Sequence, residues 1–446
     1  MTNMPASIAG VGASSDTTID RRITTPAAFV EANRCLMCWD APCTRACPTS
    51  IDVPGFIKRI ANRDDVGAAR VILGANVLGD SCAHACPTSV LCEGACVMND
   101  VDGRPIAIGR LQAYVTAPIV QAGIQLFPPA RPTGQRIAVI GAGPAGLACA
   151  AELVRRGHEV VAFDAAERPG GLSTHGVAEY KVPQSAAFAE IDWIEAGGVE
   201  IRSNTAVGVD VDFSDLLSEF DALFVGVGLG KIRPLQLPGE TLDGVHDALD
   251  LIAAAKSGQL TPDGLAGQTV VVLGGGNTAI DAARLAPRLG AARTIVVYRR
   301  GADHMPAYRH EIEEAVVEGV EFINWLAPHS VGGDGHVDFV RCDVTTPGEP
   351  DADGRPSVHV TDKTHDVPCD LVVVATGQEA HESFLSELAG LDFAGGRVVV
   401  DDDYRTSNPL VWAGGDCVNG GKEVVNAVAE GMAAAHNIDD VLSGRR

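Results

Sequence analysis

The sequence of 446 residues lacks long apolar runs and carries no excess of positive charge. Its apolar stretches are short and end in glycine, as in TVVVLGGG (269–276) and LVVVATG (371–377), whereas a membrane-spanning helix needs about 20 apolar residues. The N-terminal segment is polar and lacks the apolar core of a secretory signal. Lysine and arginine number 34 against 58 acidic residues, and a net charge of −24 disfavours nucleic acid and anionic membranes as partners. We therefore predict a cytoplasmic protein.

Cysteine, by contrast, is concentrated in one segment. Eight of the twelve cysteines lie in two blocks, CLMCWDAPCTRACPTS (35–50) and CAHACPTSVLCEGAC (82–96), which share the string ACPTS. Cytoplasmic thiols stay reduced, so a cluster of them binds metal more often than it forms disulfides. The first block has the spacing C-x2-C-x4-C-x3-C-P, which differs from the paired CxxC of zinc sites and matches the ferredoxin pattern.

In the ferredoxin pattern the cysteine before proline binds a second cluster. The spacing therefore favours iron–sulfur over zinc or unliganded cysteines, with Cys35, Cys38 and Cys43 on one [4Fe–4S] cluster and Cys47 on another. Apolar residues three or four apart in 55–64 and 66–76 predict helices around these cysteines. We predict a disordered leader over 1–30, a helical iron–sulfur domain over 31–125 and a proline-rich linker before the next domain.

Residues 136–171 contain every part of a dinucleotide-binding fingerprint: an apolar strand, a glycine-rich turn, a helix and a second strand. Gly141 permits the tight turn, Gly143 lets the backbone approach a pyrophosphate, and Gly146 lets helix and strand pack closely. The helix N-terminus favours phosphate. Asp164 ends the second strand, where a carboxylate accepts hydrogen bonds from a ribose diol.

Residues 269–300 repeat this order of strand, turn, helix and strand, with Asn277 and Thr278 available to phosphates after the glycine turn. The second strand ends in Arg299 and Arg300 instead of an acid. Because arginine pairs with a 2′-phosphate, the sequence favours NADPH over NADH.

One fold for FAD and one for NAD(P)H indicate a flavoprotein reductase. A third glycine turn, at Gly415, places Asp416 where it could hydrogen-bond the ribityl chain of a flavin, just before a helix that opens near Val424. We predict an α/β protein in which the helical [4Fe–4S] domain precedes two nested dinucleotide-binding, Rossmann-like domains. The FAD domain spans 131–245 and 378–446, and the NAD(P)H domain spans 246–377.

The strings CPTSVLCEGAC (86–96), PIAIGRLQ (105–112), GGLST (170–174) and AGGDCVNGGKEVVNAV (413–428) resemble the flavin-binding half of dihydropyrimidine dehydrogenase. The chain is most similar to the separate reductase subunit of the bacterial enzyme and, less closely, to the small subunit of glutamate synthase. The resemblance implies one cluster held by Cys35, Cys38, Cys43 and Cys96, and a second held by Cys47, Cys86, Cys92 and Gln112. Cys82 is left over, either as a packed thiol, which we favour, or as a ligand in place of Gln112.

The resemblance also implies a set of nucleotide contacts and a function. Flavin contacts fall on Gly141, Gly143, Ala145, Asp164, Gly171, Leu172, Lys181 and Asp416, and nicotinamide contacts on Gly276, Asn277, Thr278, Arg299 and Arg300. Nothing in the sequence matches the FMN barrel in which the full-length enzyme reduces pyrimidines. We therefore expect an electron-input subunit that oxidises NAD(P)H through FAD and two clusters and delivers electrons to an FMN-containing catalytic partner.

Three alternatives remain open at this point. A glutamate synthase small subunit would deliver electrons to a large amidotransferase. A disulfide reductase would need a redox CxxC beside the flavin, and the four cysteines outside the two blocks are scattered. A non-enzyme module with structural clusters and a degenerate flavin site would conflict with two intact fingerprints.

Overall fold

The computed structural model describes residues 23–128, 130–350 and 356–445. The cysteine-rich part is helical, as predicted. Asp52 and Asp64 cap the two predicted helices by accepting hydrogen bonds from the backbone N–H of Gly55 (3.0 Å) and Gly67 (2.9 Å). Its helices are α1 (Thr25–Ala32), α2 (Pro42–Arg45), α3 (Val53–Ala61), α4 (Asp65–Ala75), α5 (Gly79–Ala85), α6 (Met98–Asp102) and α7 (Ile108–Gln121).

The first helix corrects one expectation. Helix α1 begins inside the segment 1–30 that was predicted to be a disordered leader, because Ala28 and Ala32 on α1 are fully buried in the helical core. Residues 1–22 of that segment lie outside the described residues.

Alternating strands and helices follow. The elements up to residue 225 are β1 (Arg136–Ile140), α8 (Pro144–Arg155), β2 (Glu159–Phe163), α9 (Leu172–His175), α10 (Gln184–Ala196), β3 (Glu200–Arg202), α11 (Phe213–Glu219) and β4 (Ala222–Val225). The elements of the next part are β5 (Val245–Asp247), α12 (Ala248–Lys256), β6 (Thr269–Leu273), α13 (Asn277–Arg288), β7 (Arg293–Tyr298), α14 (Arg309–Val317), β8 (Glu321–Asn324), β9 (Leu326–Gly332), β10 (Phe339–Pro350), β11 (Pro356–Pro368) and β12 (Leu371–Val374). The C-terminal part contains α15 (Glu382–Leu385), β13 (Phe393–Ala394), β14 (Arg397–Val398), β15 (Val411–Ala413), α16 (Asp416–Asn419) and α17 (Val424–Leu442).

Two parallel sheets organise these elements. The first has the strand order β15-β4-β1-β2-β3, so the C-terminal part completes the sheet that begins at residue 136. The second has the order β5-β12-β6-β7-β8 and is built from the chain between residues 245 and 374. Strands such as β6 are buried on both faces, which explains their continuous valine and leucine runs. One dinucleotide-type fold is thus inserted into another, as the sequence predicts.

Helix packing joins the cysteine-rich part to the first sheet. A single apolar cluster includes Phe56 and Leu111 of the helical part together with Ile137 and Leu147 around β1 and α8. Within the described residues, no helix combines the length and hydropathy needed to cross a bilayer.

Candidate flavin, nucleotide and iron–sulfur sites

The glycine turn after β1 forms an open cradle. Gly141 has φ +93, and a Cβ there would lie 2.7 Å from the carbonyl oxygen of Gly226. At Gly143, the N-cap of α8, a Cβ would meet only the Cα of Gly171, at 3.8 Å, so the space beside this backbone is open. A Cβ at Gly146 would collide with the carbonyl of Gly141, so this glycine serves the close packing of the turn. The cradle fits a pyrophosphate at a helix N-terminus.

Asp164 holds the same turn. One carboxylate oxygen accepts a hydrogen bond from the N–H of Ala142 (2.7 Å) and the other from the N–H of Ala166 (2.8 Å). The carboxylate therefore lies beside the cradle, where the fingerprint places the acid that binds a ribose.

A cavity of about 580 Å³ extends from this cradle to the first turns of α13 and α14 on the inserted fold. Most of the predicted nucleotide contacts line it together. They are Gly141, Gly143, Ala145, Asp164, Gly171, Leu172, Lys181, Asn277, Thr278, Gly415 and Asp416. No cysteine of the described chain lines the cavity, which disfavours the disulfide-reductase alternative. The shape and lining fit a dinucleotide.

The C-terminal turn completes the cavity. Gly415 has φ +79, and its N–H donates to the carboxylate of Glu430 (2.7 Å), which is buried on α17. Burial raises the pKa of Asp416 to about 6. Helix α17 begins at Val424, which lines the cavity, so its N-terminus faces the site as the sequence predicts.

The second glycine turn is open at Gly276, where a Cβ would meet nothing within 4 Å. Gly276 is the N-cap of α13, and the side chain of the next residue, Asn277, accepts a hydrogen bond from the N–H of Tyr308 (3.1 Å).

The two predicted 2′-phosphate arginines lie outside the cavity lining. Arg299 is exposed at the end of β7. The guanidinium of Arg300 donates to the backbone carbonyl of Pro356 (2.9 Å) and is thereby held against β11. The sequence offered both arginines equally as partners of a 2′-phosphate. In the structure Arg300 is hydrogen-bonded to the backbone, and Arg299 is exposed.

Lys181 lies at the junction of the two nucleotide folds. Its ammonium contacts the carboxylates of Asp281 (2.5 Å) and Glu311 (2.8 Å), both on the inserted fold. Burial opposes the charge of Lys181, but the two carboxylates outweigh it and raise its pKa. Lys181 therefore lines the predicted flavin cavity while its ammonium is engaged in this ion-pair network.

The thiols of the cysteine-rich part form two groups, and all twelve cysteines are free. In the first group, burial raises the pKa of Cys35, and Cys38 and Cys96 raise it further. Burial, with contributions from Cys35 and Cys96, raises the pKa of Cys43 to about 11. Such thiols become stable thiolates next to cationic iron, so the donor set fits a cluster.

The second group surrounds a small cavity of about 30 Å³ whose lining includes Cys47, Cys82, Cys86, Cys92 and Gln112. A hydrogen bond with Cys82, burial and the thiols of Cys92 and Cys47 raise the pKa of Cys86. Gln112 donates its amide N–H to the carbonyl of Gly79 (2.6 Å), which leaves the amide oxygen as its potential ligand atom. Cys82 and Gln112 both reach this cavity. Among the described residues, no group of His, Cys, Asp or Glu converges on the position of a single metal ion.

A thin wall separates this thiol cavity from the large cavity. Ala85 lines the large cavity and the next residue, Cys86, lines the thiol cavity. Val424 and Val425 are divided in the same way. The last residue of α5 and the first turn of α17 thus form a boundary about one residue thick.

Comparisons with known proteins agree with this arrangement. The model of the pyridine nucleotide-disulphide oxidoreductase family matches residues 135–431, which is most of the chain. The chain belongs to this family. A second model, dihydropyrimidine dehydrogenase domain II with a 4Fe-4S cluster, matches residues 13–124.

Relatives of this oxidoreductase span nearly its whole length. It is 38% identical over 431 residues to "Glutamate synthase [NADPH] small chain" of Escherichia coli, covering 92% of this chain and 90% of the relative. It is 36% identical over 421 residues to "NAD-dependent dihydropyrimidine dehydrogenase subunit PreT" of the same organism, covering 94% and 96%. The structure of Mycobacterium tuberculosis FprA in complex with NADPH is 21% identical with a TM-score of 0.58, covering 70% of this chain and 85% of that chain, and supports the fold.

These matches confirm the predicted resemblance and the fold class. The chain is a flavoprotein oxidoreductase that uses FAD and NAD(P)H and carries a 4Fe-4S domain. The two named relatives differ by only two percentage points of identity, so this comparison does not rank the pyrimidine type above the glutamate synthase type.

Several residues that organise the sites carried no sequence signal. Glu430 orders the Gly415 turn, and the hydroxyl of Tyr308 donates to Glu423 (2.6 Å) across the large cavity. Asp281 and Glu311 hold Lys181. Tyr308, Asp281 and Glu311 contact partners 100 or more residues away in sequence, where no local motif marks them.

Proposed function

We propose that this chain is the NAD(P)H-oxidising, electron-input subunit of a hetero-oligomer whose FMN-containing partner reduces pyrimidines such as uracil and thymine. FAD and two [4Fe–4S] clusters are its redox groups, and bound FAD supplies hydride acceptance and release of single electrons. The catalytic work of the chain is to bind and orient, because no side-chain acid or base is required for this chemistry.

Each part of the site has a role in this proposal. The Gly143 backbone and the N-terminus of α8 hold the pyrophosphate of FAD, and Asp164 accepts from its ribose. Asp416 accepts from the ribityl chain, and Asn277 and Thr278 bind the phosphates of NAD(P)H. The metal ligands are Cys35, Cys38, Cys43 and Cys96 for one cluster, and Cys47, Cys86, Cys92 and Gln112 for the other.

The observation that carries the proposal is the wall shared by the two cavities. The candidate ligand Cys86 lies on the far side of a boundary whose near side, at Ala85, faces the flavin cavity. The first thiol group lies next to this second one, since Cys43 of the first group contributes to the raised pKa of Cys92 in the second, after burial, Glu93 and Cys47. The groups therefore form a series leading away from the flavin.

Iron analysis of anaerobically purified protein tests this assignment. Two four-iron clusters predict about eight iron atoms per chain. Cys86→Ser should lose about four of them, whereas Cys149→Ser, a matched change of a buried thiol outside both groups, should keep all of them. Protein without iron, or with one zinc per four thiols, would contradict the proposal. Anaerobic addition of NAD(P)H should bleach the yellow-brown chromophore, and an inert spectrum would support the non-enzyme alternative.

The partner is tested separately. The protein should be purified from its native cells, its companions identified, and uracil and thymine reduction assayed with NADH and with NADPH. A companion of modest size with an FMN barrel is expected. The 38% identity to a glutamate synthase small chain favours a second candidate, in which the companion is a very large amidotransferase.

A further inference from the structure

Glu190 is a buried carboxylate that crosses a domain boundary. It lies on α10 beside the first sheet, and its side chain is fully buried. Its two oxygens accept hydrogen bonds from the backbone N–H groups of Asp80 (2.6 Å) and Ser81 (2.9 Å), which are 110 and 109 residues away in sequence. These N–H groups belong to the first turn of α5 and have no partner within the helix. Glu190 therefore caps α5 from the neighbouring domain.

Helix α5 carries the wall between the two cavities. It ends at Ala85, which lines the flavin cavity, and its C-cap is Cys86, which lines the thiol cavity. Seven residues of α-helix span only about 10 Å, so a displacement of the first turn moves the wall as well.

A second set of contacts ties the same turn to α7. The hydroxyl of Thr116 contacts the carboxylate of Asp80 (3.1 Å) and the backbone carbonyl of Gln112 (3.0 Å). The side chain of Gln112 donates to the carbonyl of Gly79 (2.6 Å), the residue before Asp80. Glu190 is the contact from the flavin side, whereas Thr116 and Gln112 belong to the iron–sulfur domain itself.

We propose that Glu190 is a positioning residue for electron transfer, which sets the position of α5, and with it Cys86, relative to the flavin cavity. This inference rests on the proposed function. The contacts of α5 with α7, including those of Thr116, lie within the iron–sulfur domain and do not involve Glu190. The clusters should therefore assemble without Glu190, while their placement toward the flavin should change.

Glu190→Gln tests the proposal, because an amide has one acceptor oxygen for two backbone donors and turns an N–H group toward the other donor. Glu195→Gln is the matched control, since Glu195 is on the same helix and exposed. We expect full iron and FAD content and an unchanged rate of flavin reduction by NAD(P)H. The subsequent transfer from flavin to cluster should slow by more than about twofold relative to the control, because electron tunnelling falls steeply with the distance between donor and acceptor.

The midpoint potential of the affected cluster, followed by electron paramagnetic resonance during a redox titration, gives an independent readout. A shift in Glu190→Gln but not in Glu195→Gln supports the proposal. The proposal would be overturned if Glu190→Gln kept its full iron content, transferred electrons within twofold of the control rate and showed a midpoint potential equal to that of the control within error. Loss of iron in Glu190→Gln and also in Glu190→Asp would overturn it too, because Glu190 would then act in assembly. Wild-type protein that lacks iron would instead contradict the proposed function.

Discussion

Arg299 and Arg300 occupy adjacent positions after β7 but differ in what they contact. Arg300 is hydrogen-bonded to the carbonyl of Pro356, whereas Arg299 is exposed. An exposed guanidinium at the end of this strand can pair with a 2′-phosphate, and a guanidinium already bound elsewhere must first give up its partner. We therefore expect selectivity for NADPH over NADH to depend on Arg299.

Arg299→Ala should raise KM for NADPH roughly tenfold to a hundredfold, because one charge-assisted contact is worth about 1.5–3 kcal/mol. KM for NADH, which has no 2′-phosphate, should stay unchanged. Steady-state reduction of an artificial acceptor with each nucleotide measures this. Arg309→Ala is the control, since Arg309 is an exposed arginine paired with Glu313. Equal effects of the two changes would exclude a specific role for Arg299.

At the scale of elements, Glu318 joins α13 to the end of α14. Both Arg284 and Arg288 of α13 donate to its carboxylate, at 2.6–2.9 Å. Both guanidinium groups also lie over the ring of Tyr180, on the first fold. Burial opposes ionisation of Glu318, but hydrogen bonds from Arg288 and Arg284 outweigh it and lower its pKa to about 2.

Glu318→Gln should lower the free energy of unfolding at pH 7 by roughly 1–3 kcal/mol, because charged hydrogen bonds are lost and Arg284 stays buried. A lowered folded-state pKa means that the carboxylate stabilises the fold above its unfolded pKa of about 4.3. The difference in free energy of unfolding between wild type and variant, here called the stability gap, should therefore be constant from pH 7 to 5. It should narrow as pH falls from about 4.3 toward about 2.

Fluorescence-monitored urea unfolding at several pH values measures this stability gap. Glu321→Gln serves as the surface control, because Glu321 pairs with Arg293 where both side chains are 48% exposed, and such pairs contribute little. A stability gap between wild type and Glu318→Gln that does not change with pH down to pH 3 would contradict the assigned ion pairs.

At the scale of the whole molecule, the large cavity exists only because two nucleotide folds face each other. Lys181 of the first fold holds two carboxylates of the second, and Lys256 of the second fold donates to the carbonyls of Val177 (2.8 Å) and Val182 (2.7 Å) on the first. These buried contacts set how the predicted nicotinamide and flavin sites face each other.

Lys181→Met should leave Asp281 and Glu311 buried without their cation, a change that costs roughly 3–5 kcal/mol. The second fold should then dock less well on the first, and flavin reduction by NAD(P)H should slow at least tenfold at unchanged FAD content. Stopped-flow absorbance and limited proteolysis between the folds measure the two effects.

Lys231→Met is the control for this change, because Lys231 is exposed and pairs weakly with Asp250. Adding Asp281→Asn and Glu311→Gln to Lys181→Met should restore docking, because it removes the uncompensated charges. Loss of FAD with intact docking would instead identify Lys181 as a direct flavin contact, which is the role that the family resemblance implies.

The sequence alone determined the local parts of this protein. Each glycine turn, with its strand and helix, is closed by contacts between residues near one another in the chain, so Gly141, Gly143 and Asp164 could be read from spacing. The order of the cysteines likewise predicted an iron–sulfur domain, since ligand spacing is a local property.

Only the tertiary structure decided which of these parts face each other. The cap from Glu190 and the ion pairs of Lys181 join residues that are about 100 or more positions apart. The wall between the cavities likewise combines Ala85 and Cys86 with the distant Val424 and Val425. Such contacts depend on how separate domains pack. Because a buried carboxylate or ammonium must be paired, the packing of the domains decides which residue it contacts. No periodicity or motif records that partner, because either residue alone is an ordinary charged side chain on a helix or loop.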